Sequence, residues 1–148
     1  MRITSSAFAP NGTIPKQYTC SDKDLAPPLS FEEIPSNARS LALIVDDPDA
    51  PAGTWVHWVV YNMPGTTTGI AEGAADLSGS VLQGVNDFKK RGYGGPCPPP
   101  GKPHRYFFKL YALDSAIDLP RGASKGDLEM AMDGHILGQA ELVGLYSR

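Results

Sequence analysis

The sequence contains few cysteines and no long apolar run. Its 148 residues include two cysteines, Cys20 and Cys97, and no stretch approaches the roughly 20 consecutive apolar residues that span a bilayer. Two cysteines are too few for a disulfide-rich scaffold, and they lack the CxxC spacing of a zinc site. Because cytosolic disulfides are rare, we expect two reduced thiols, with a Cys20–Cys97 bridge as the alternative.

A strong net charge is also lacking. The chain has 13 basic and 16 acidic residues, for a formal net charge of −3, which argues against a nucleic-acid partner. Residues 1–5 open into polar sequence without the apolar segment of a signal peptide, so we expect a cytoplasmic protein with no transmembrane segment. Any bound anion must be held locally, by His or Arg side chains or by backbone N–H groups.

Motifs of common enzymes and metal sites are scarce. No GxSxG sequence is present for a serine hydrolase, and the prolines around Cys97 give no assurance that a thiolate could pair with His104. The acidic cluster Asp46, Asp47 and Asp49 lacks the glycine and distal glutamate of a calcium loop. We therefore predict a non-enzymatic protein with no catalytic residue, no cofactor and no metal.

Glycine and proline, in contrast, are abundant, with 16 and 14 residues spread along the chain, which indicates many turns in one domain, residues 1–148. Short runs rich in β-branched and aromatic residues predict strands at Ser40–Val45, Trp55–Asn62, Arg105–Ala112 and Leu142–Tyr146. Helices are expected at Lys125–Met132, where Ser124 and Asp127 suit an N-cap, and at Gly134–Leu142. The result is a mainly β, two-sheet antiparallel sandwich with one or two short helices near the C-terminus.

The acidic cluster lies where the first of these strands ends. Asp47 precedes Pro48, which favours extended backbone at Asp47, so its carboxylate should stand at the mouth of the strand. Asp46 and Asp49 are expected to be ordinary turn residues whose carboxylates accept hydrogen bonds from nearby backbone N–H groups.

Two of the three histidines lie on predicted strands. His57 is either a satisfied core histidine or a site residue, His104 stands at a loop-to-strand corner, and His135 is expected to be structural. Two imidazoles and a carboxylate suit a metal site, acid–base chemistry or an anion pocket. The glycines of Arg91–Pro96 favour the anion pocket, because they let consecutive N–H groups turn toward an oxyanion.

The chain resembles the phosphatidylethanolamine-binding protein family, also called Raf kinase inhibitor-like proteins, in its bacterial and archaeal branch. Phe31 departs from the family, where tryptophan is more usual. The resemblance rests on segments in the family's order: Tyr18–Cys20, Pro27–Phe31, Asp47–Pro51, Trp55–Trp58, Gly94–Pro96, Gly101, His104–Tyr106, Gly134–Leu137 and Ala140–Leu142.

The resemblance implies a Greek-key β-sandwich with an anion cavity at one end. Its expected ligands are phosphate, phosphorylethanolamine or a phospholipid headgroup. It also implies an alternative role as an inhibitor of a serine protease or a kinase, and a possible homodimer. The implied ligand-binding residues are Asp47, His57 and His104, a backbone donor from Gly95 or its neighbour Gly94, the wall residues Tyr106 and Pro96, and Trp55 beside the mouth.

The charges of these residues predict a pH dependence. An anion between His57 and His104 should raise the pKa of both imidazoles by opposite-charge attraction. Asp47 should either orient an imidazole through a hydrogen bond or accept the proton of a monoprotonated phosphate. Anion affinity should then fall between about pH 6 and pH 8, where histidine loses its charge.

Overall fold

The chain folds mainly into strands. The computed structural model describes residues 1–74, 77 and 79–148. Within them, the elements are β1 (Arg2–Thr4), a 3-10 turn (Lys16–Tyr18), β2 (Leu29–Glu32), β3 (Ser40–Asp47), β4 (Trp55–Pro64), β5 (Gly69–Ile70), β6 (Leu82–Gln83), β7 (His104–Leu113), α1 (Lys125–Met132) and β8 (Ile136–Tyr146).

These strands form two antiparallel sheets. The larger sheet has the order β6-β4-β3-β7-β8 and the smaller one β1-β2-β5. The predicted fold class is therefore confirmed: mainly β, with two antiparallel sheets and one helix. The four predicted strands all form, and each is longer than its predicted run.

Burial on both faces explains why the sequence of β3 is almost continuously apolar. Leu41, Leu43 and Val45 belong to the core cluster that includes residues of the smaller sheet. Ala42 and Ile44 belong to a second cluster that includes Leu128 and Met132 of α1. Since successive side chains of a strand point to opposite faces, a strand covered on both faces has no polar alternation.

The helix α1 begins where the sequence predicts. Ser124 accepts a hydrogen bond from the backbone N–H of Asp127, and the Asp127 carboxylate accepts one from the Ser124 N–H, which completes a capping box. Leu128 and Met132 are its buried residues. The helix thus covers the face of the larger sheet that the smaller sheet leaves open.

The second predicted helix, Gly134–Leu142, is wrong. Residues Ile136–Tyr146 form β8, which pairs with β7 from His104↔Tyr146 to Leu113↔Ile136. Gly134 has a φ of +83°, a left-handed conformation that suits a chain reversal after α1. Pairing along the whole of β7 outweighs the local helical pattern, because tertiary context overrides intrinsic propensity.

Candidate functional site

Three adjacent strands bring the predicted polar residues to one end of the larger sheet. Strand β3 lies between β4 and β7 and pairs antiparallel with both. Asp47, the last residue of β3, is paired with Trp55, the first residue of β4, and Asp46 is paired with Phe107 near the start of β7. Residues far apart in sequence therefore meet because one strand ends where its neighbours begin.

A cavity of about 210 Å³ lies at this end of the sheet. Five of the eight predicted ligand-binding residues line it, and Gly94, Gly95 and Pro96 do not. The lining residues are Asp47, Ala50, Pro51, Trp55, His57, Phe88, Cys97, Pro98, Pro99, His104 and Tyr106. This wall contains no lysine or arginine, so the side chains that can carry positive charge here are the two imidazoles.

Asp47 is held by two donors. Its Oδ2 accepts a hydrogen bond from Nδ1 of His104 at 2.7 Å, and its Oδ1 accepts one from the backbone N–H of Asp49 at 2.7 Å. A carboxylate only accepts, so the hydrogen of His104 is on Nδ1, and Nε2 is left as the ring nitrogen for a ligand. Of the two roles predicted for Asp47, the geometry matches orientation of an imidazole.

His57 is buried, with 3% of its surface exposed. Its Nδ1 lies 2.6 Å from the carbonyl oxygen of Gly94, which again puts the hydrogen on Nδ1. Burial lowers the pKa of His57 below its ordinary value, although the Gly94 hydrogen bond and the Asp47 charge oppose this shift. The free protein at neutral pH therefore holds His57 as a neutral ring that is both a core residue and a cavity residue.

Two cavity-wall residues carry buried polar atoms without a hydrogen-bond partner in the described part of the chain: Trp55 through Nε1 and Tyr106 through its hydroxyl. Burial raises the pKa of the Tyr106 phenol well above its ordinary value, so it remains a neutral donor. Because buried polar groups are nearly always paired, two unpaired ones at the same cavity suggest that a ligand supplies the partners.

The chain also matches a known protein family over nearly its whole length. The family model described as phosphatidylethanolamine-binding protein matches residues 4–147 of the chain. The chain belongs to this family.

Relatives resemble the chain over nearly its whole length. It is 52% identical to a UPF0098 protein of Methanothermobacter thermautotrophicus, covering 100% of this chain and 99% of the relative. A solved phosphatidylethanolamine-binding protein homologue from Chlamydia trachomatis superposes with a TM-score of 0.92 at 43% identity, covering 99% and 97% of the two chains. YBCL of E. coli, described as a member of the mammalian family, gives 0.93 at 31%, covering 99% and 98%.

The glycine segment has a different task from the predicted one. The N–H of Gly94 donates to the carbonyl oxygen of His57 at 2.9 Å, and the N–H of Gly95 donates to Oδ1 of Asp24 at 2.9 Å. Both amides are therefore occupied within the protein. The Gly94 carbonyl instead fixes the His57 ring, so this segment acts on the cavity through His57.

Several lining residues were not predicted from the sequence. Phe88 packs edge-to-face on Trp55 and His57, with ring centroids 5.5 Å and 5.4 Å apart. No local signal marks Phe88. The other lining residues are close in sequence to predicted ones. The segment Cys97–Pro99 precedes His104 in the proline-rich tract, and Ala50 and Pro51 follow Asp47. That short distance in sequence was the signal that could have identified them.

The expectation of two reduced thiols is wrong. Cys20 and Cys97 form a disulfide with a Cα–Cα distance of 5.4 Å across 77 residues of sequence. The loop around Cys97 lies against the segment around Cys20, since the Cys20 N–H donates to the Pro96 carbonyl oxygen at 3.1 Å. This pairing is a long-range contact, which the spacing of two cysteines does not reveal. It also leaves Cys97 without the free thiol that a nucleophile would need.

The other acidic residues are not simple turn formers. Asp46 is buried in β3, and its Oδ2 accepts hydrogen bonds from Nζ of Lys109 at 3.1 Å and of Lys125 at 2.8 Å. Asp49 does lie in a turn, but its carboxylate accepts from the backbone and guanidinium of Arg105. The Arg105 hydrogen bonds lower the pKa of Asp49 to about 2.

The third histidine lies outside the cavity. His135 follows α1 rather than starting a helix, is 47% exposed, and its Nδ1 contacts Oδ1 of Asp114 at 2.8 Å. Across the described residues, no group of three His, Cys, Asp or Glu side chains is placed to hold a metal ion. No helix in the described ranges is long and apolar enough to cross a membrane.

Proposed function

We propose that this protein binds small anions, namely phosphate, phosphorylethanolamine or a phospholipid headgroup, in the cavity beneath Asp47, His57 and His104. The observation that carries the proposal is the convergence of two imidazoles with buried, unpaired donors on one small cavity. Each imidazole has its Nδ1 bound to a protein oxygen. Each therefore offers Nε2, as a donor when protonated, to an oxyanion.

The cavity volume favours a headgroup-sized ligand. About 210 Å³ is the space of about seven water molecules in the liquid. Phosphate or phosphorylethanolamine suits that volume, whereas the acyl chains of a whole phospholipid do not. A lipid could therefore contribute its headgroup, with its chains outside the cavity.

The source of positive charge in the cavity makes anion binding depend on pH. With no lysine or arginine in the wall, positive charge comes from protonating His57 or His104. Burial lowers the pKa of His57 in the free protein, so an anion beside this ring binds better when the ring takes up a proton or when the anion carries one. Affinity for phosphate should therefore fall as the pH rises from about 6 to about 8.

Calorimetric titration with inorganic phosphate and phosphorylethanolamine tests the proposal. We expect binding by the wild-type chain that weakens with rising pH, and no binding by the His57→Ala plus His104→Ala variant. His104→Ala alone, at a less buried site, covers the case in which the double variant does not fold. His135→Ala is the matched control, since His135 lies outside the cavity, and it should bind as the wild type does. Tighter phosphate binding at alkaline pH would contradict the proposal.

Vesicles distinguish the two sources of the anion. Vesicles of phosphatidylethanolamine in phosphatidylcholine should bind the wild-type chain, and phosphorylethanolamine should compete, if the headgroup enters the cavity. Binding of free phosphorylethanolamine without any binding of vesicles would restrict the ligand to soluble anions.

The inhibitor role, the homodimer, the cytoplasmic location and the absence of enzymatic activity stay predictions. The variant that lacks both His57 and His104 separates the inhibitor role from anion binding, because inhibition through another surface would survive the loss of both imidazoles. Gel filtration with light scattering tests the dimer.

A further inference from the structure

The Cys20–Cys97 disulfide holds part of the cavity wall and is also exposed to solvent. Cys97 belongs to the cavity lining, together with Pro98 and Pro99, whereas Cys20 does not. Both cysteines are exposed to solvent. A soluble thiol can therefore reach the bond, and exposed disulfides are the labile ones that take part in exchange.

The contacts around the disulfide divide the loop into two parts. Up to residue 96, noncovalent bonds hold the loop to the segment around Cys20: the Tyr93 hydroxyl donates to the Tyr18 carbonyl oxygen at 2.7 Å, and the Gly95 N–H to Oδ1 of Asp24 at 2.9 Å. These bonds do not depend on the disulfide. Since Gly94 lies between Tyr93 and Gly95, the carbonyl that fixes His57 should keep its place when the disulfide opens.

Beyond residue 96 the wall has different anchors. Cys97 is held by the disulfide, and the Pro98 carbonyl oxygen accepts a hydrogen bond from Nε of Arg148 at 2.7 Å. Opening the disulfide would leave the Arg148 hydrogen bond and the packing of buried Pro98 to hold this wall. The covalent link thus bears on the proline wall of the cavity rather than on its imidazoles.

We propose that the Cys20–Cys97 disulfide is a thiol–disulfide exchange site through which low-molecular-weight thiols weaken anion binding in the cavity. A thiolate attacks the sulfur of one cysteine, a mixed disulfide forms, and the other cysteine leaves as a thiolate that takes a proton. A second thiol group then attacks the mixed disulfide and releases the oxidised reductant, which leaves two cysteine thiols. The inference rests on the proposed anion binding and adds its regulation.

The direction of the effect follows from the loss of an anchor. Opening the disulfide lets the Cys97–Pro99 wall leave its position for part of the time, and apparent affinity falls with the fraction of closed cavity. If the wall is in place about a tenth of the time, phosphate affinity falls about tenfold.

Phosphate titration of oxidised and dithiothreitol-reduced protein tests the inference, with circular dichroism to verify folding at the titration temperature. We expect an about tenfold loss on reduction, by the argument from the closed fraction. Cys20→Ser is the decisive variant, because it removes the link and keeps Cys97 in the wall. It should bind as weakly as the reduced protein and respond no further to dithiothreitol. Equal affinity in all three states would overturn the proposal.

The two tryptophans provide a readout that needs no anion. Trp55 lines the cavity, whereas Nε1 of fully buried Trp58 donates to Oε1 of Gln83 at 2.7 Å. Reduction should shift the indole N–H resonance of Trp55 and leave that of Trp58 in place. If oxidised protein binds no phosphate but the Trp55 resonance shifts, the proposed function fails and the redox-sensitive wall stands. Two free thiols in aerobically oxidised protein, or no shift of Trp55, would overturn the wall mechanism itself.

Discussion

Two buried tyrosines, one in the core and one in the cavity wall, differ in whether their hydroxyl groups have hydrogen-bond partners. Tyr61 is fully buried, donates to the Pro120 carbonyl oxygen and accepts from the Ala123 N–H. Tyr106 is as deeply buried, but its hydroxyl has no partner within the described ranges. A buried hydroxyl without a partner costs free energy in the unliganded protein, and under the proposed function a bound anion would supply that partner.

Replacing these two tyrosines should have opposite effects on stability. Tyr106→Phe removes the unpaired hydroxyl and should raise the free energy of unfolding by about 1 kcal/mol, whereas Tyr61→Phe, the matched control, should lower it by about 1 kcal/mol. Urea denaturation measures both. Tyr106→Phe should also weaken phosphate binding severalfold. A clear loss of stability in this variant would mean that its hydroxyl is satisfied in the folded protein.

The three acidic residues that follow one another closely illustrate how position decides role. Asp46 faces Lys109 and Lys125, whereas Asp47 lies in the cavity wall. Side chains of neighbouring strand residues point to opposite faces. The apolar run of β3 ends at Val45, two residues before the strand does. The sequence alone therefore predicts a turn residue at Asp46, and the alternation of side chains applies to Asp46 and Asp47 only once the true end of the strand is known.

At the level of elements, α1 and the cavity occupy separate parts of the larger sheet. The buried side chains of α1 join Ile44, Val59 and Tyr61 in the second core cluster. No residue of α1 lines the cavity. Stability contributed by the helix should therefore be separable from ligand binding.

A pair of substitutions in α1 tests that separation. Leu128 is fully buried, and Leu128→Ala should lower the free energy of unfolding by about 2–5 kcal/mol through lost apolar contacts and a cavity. Met130 is 80% exposed, so Met130→Ala should change stability by less than about 0.5 kcal/mol. Thermal and urea unfolding measure both, and phosphate affinity should match that of the wild type in each folded variant. A loss of affinity in Leu128→Ala would show that the helix influences the cavity.

At the scale of the whole molecule, one covalent link joins distant parts of the sequence. The disulfide closes a loop of 77 residues that contains β2 to β6. A cross-link of that span restricts the unfolded chain strongly, since the entropy of loop closure rises with loop length.

Reduction should therefore destabilise the whole fold. In the chain-entropy model, a loop of this length contributes about 4.5 kcal/mol to the free energy of unfolding. Urea denaturation with and without dithiothreitol measures the difference. The Cys20→Ser plus Cys97→Ser variant should unfold like the reduced protein under both conditions. A difference below about 1 kcal/mol would indicate that the unfolded chain is already compact in this region.

The sequence by itself determined the strands with strong apolar runs, the capped helix α1 and the fold class. It also predicted that the side chains of Asp47, His57 and His104 lie at one cavity, as they do. Those features follow from local composition, periodicity and capping, or from motifs in a recognisable order. Only the tertiary structure decided that residues 136–146 form a strand, that Cys20 meets Cys97, that the Gly94 and Gly95 amides bind within the protein, and that Phe88 lines the cavity. Each of these depends on a partner distant in sequence, and local spacing does not specify such a partner.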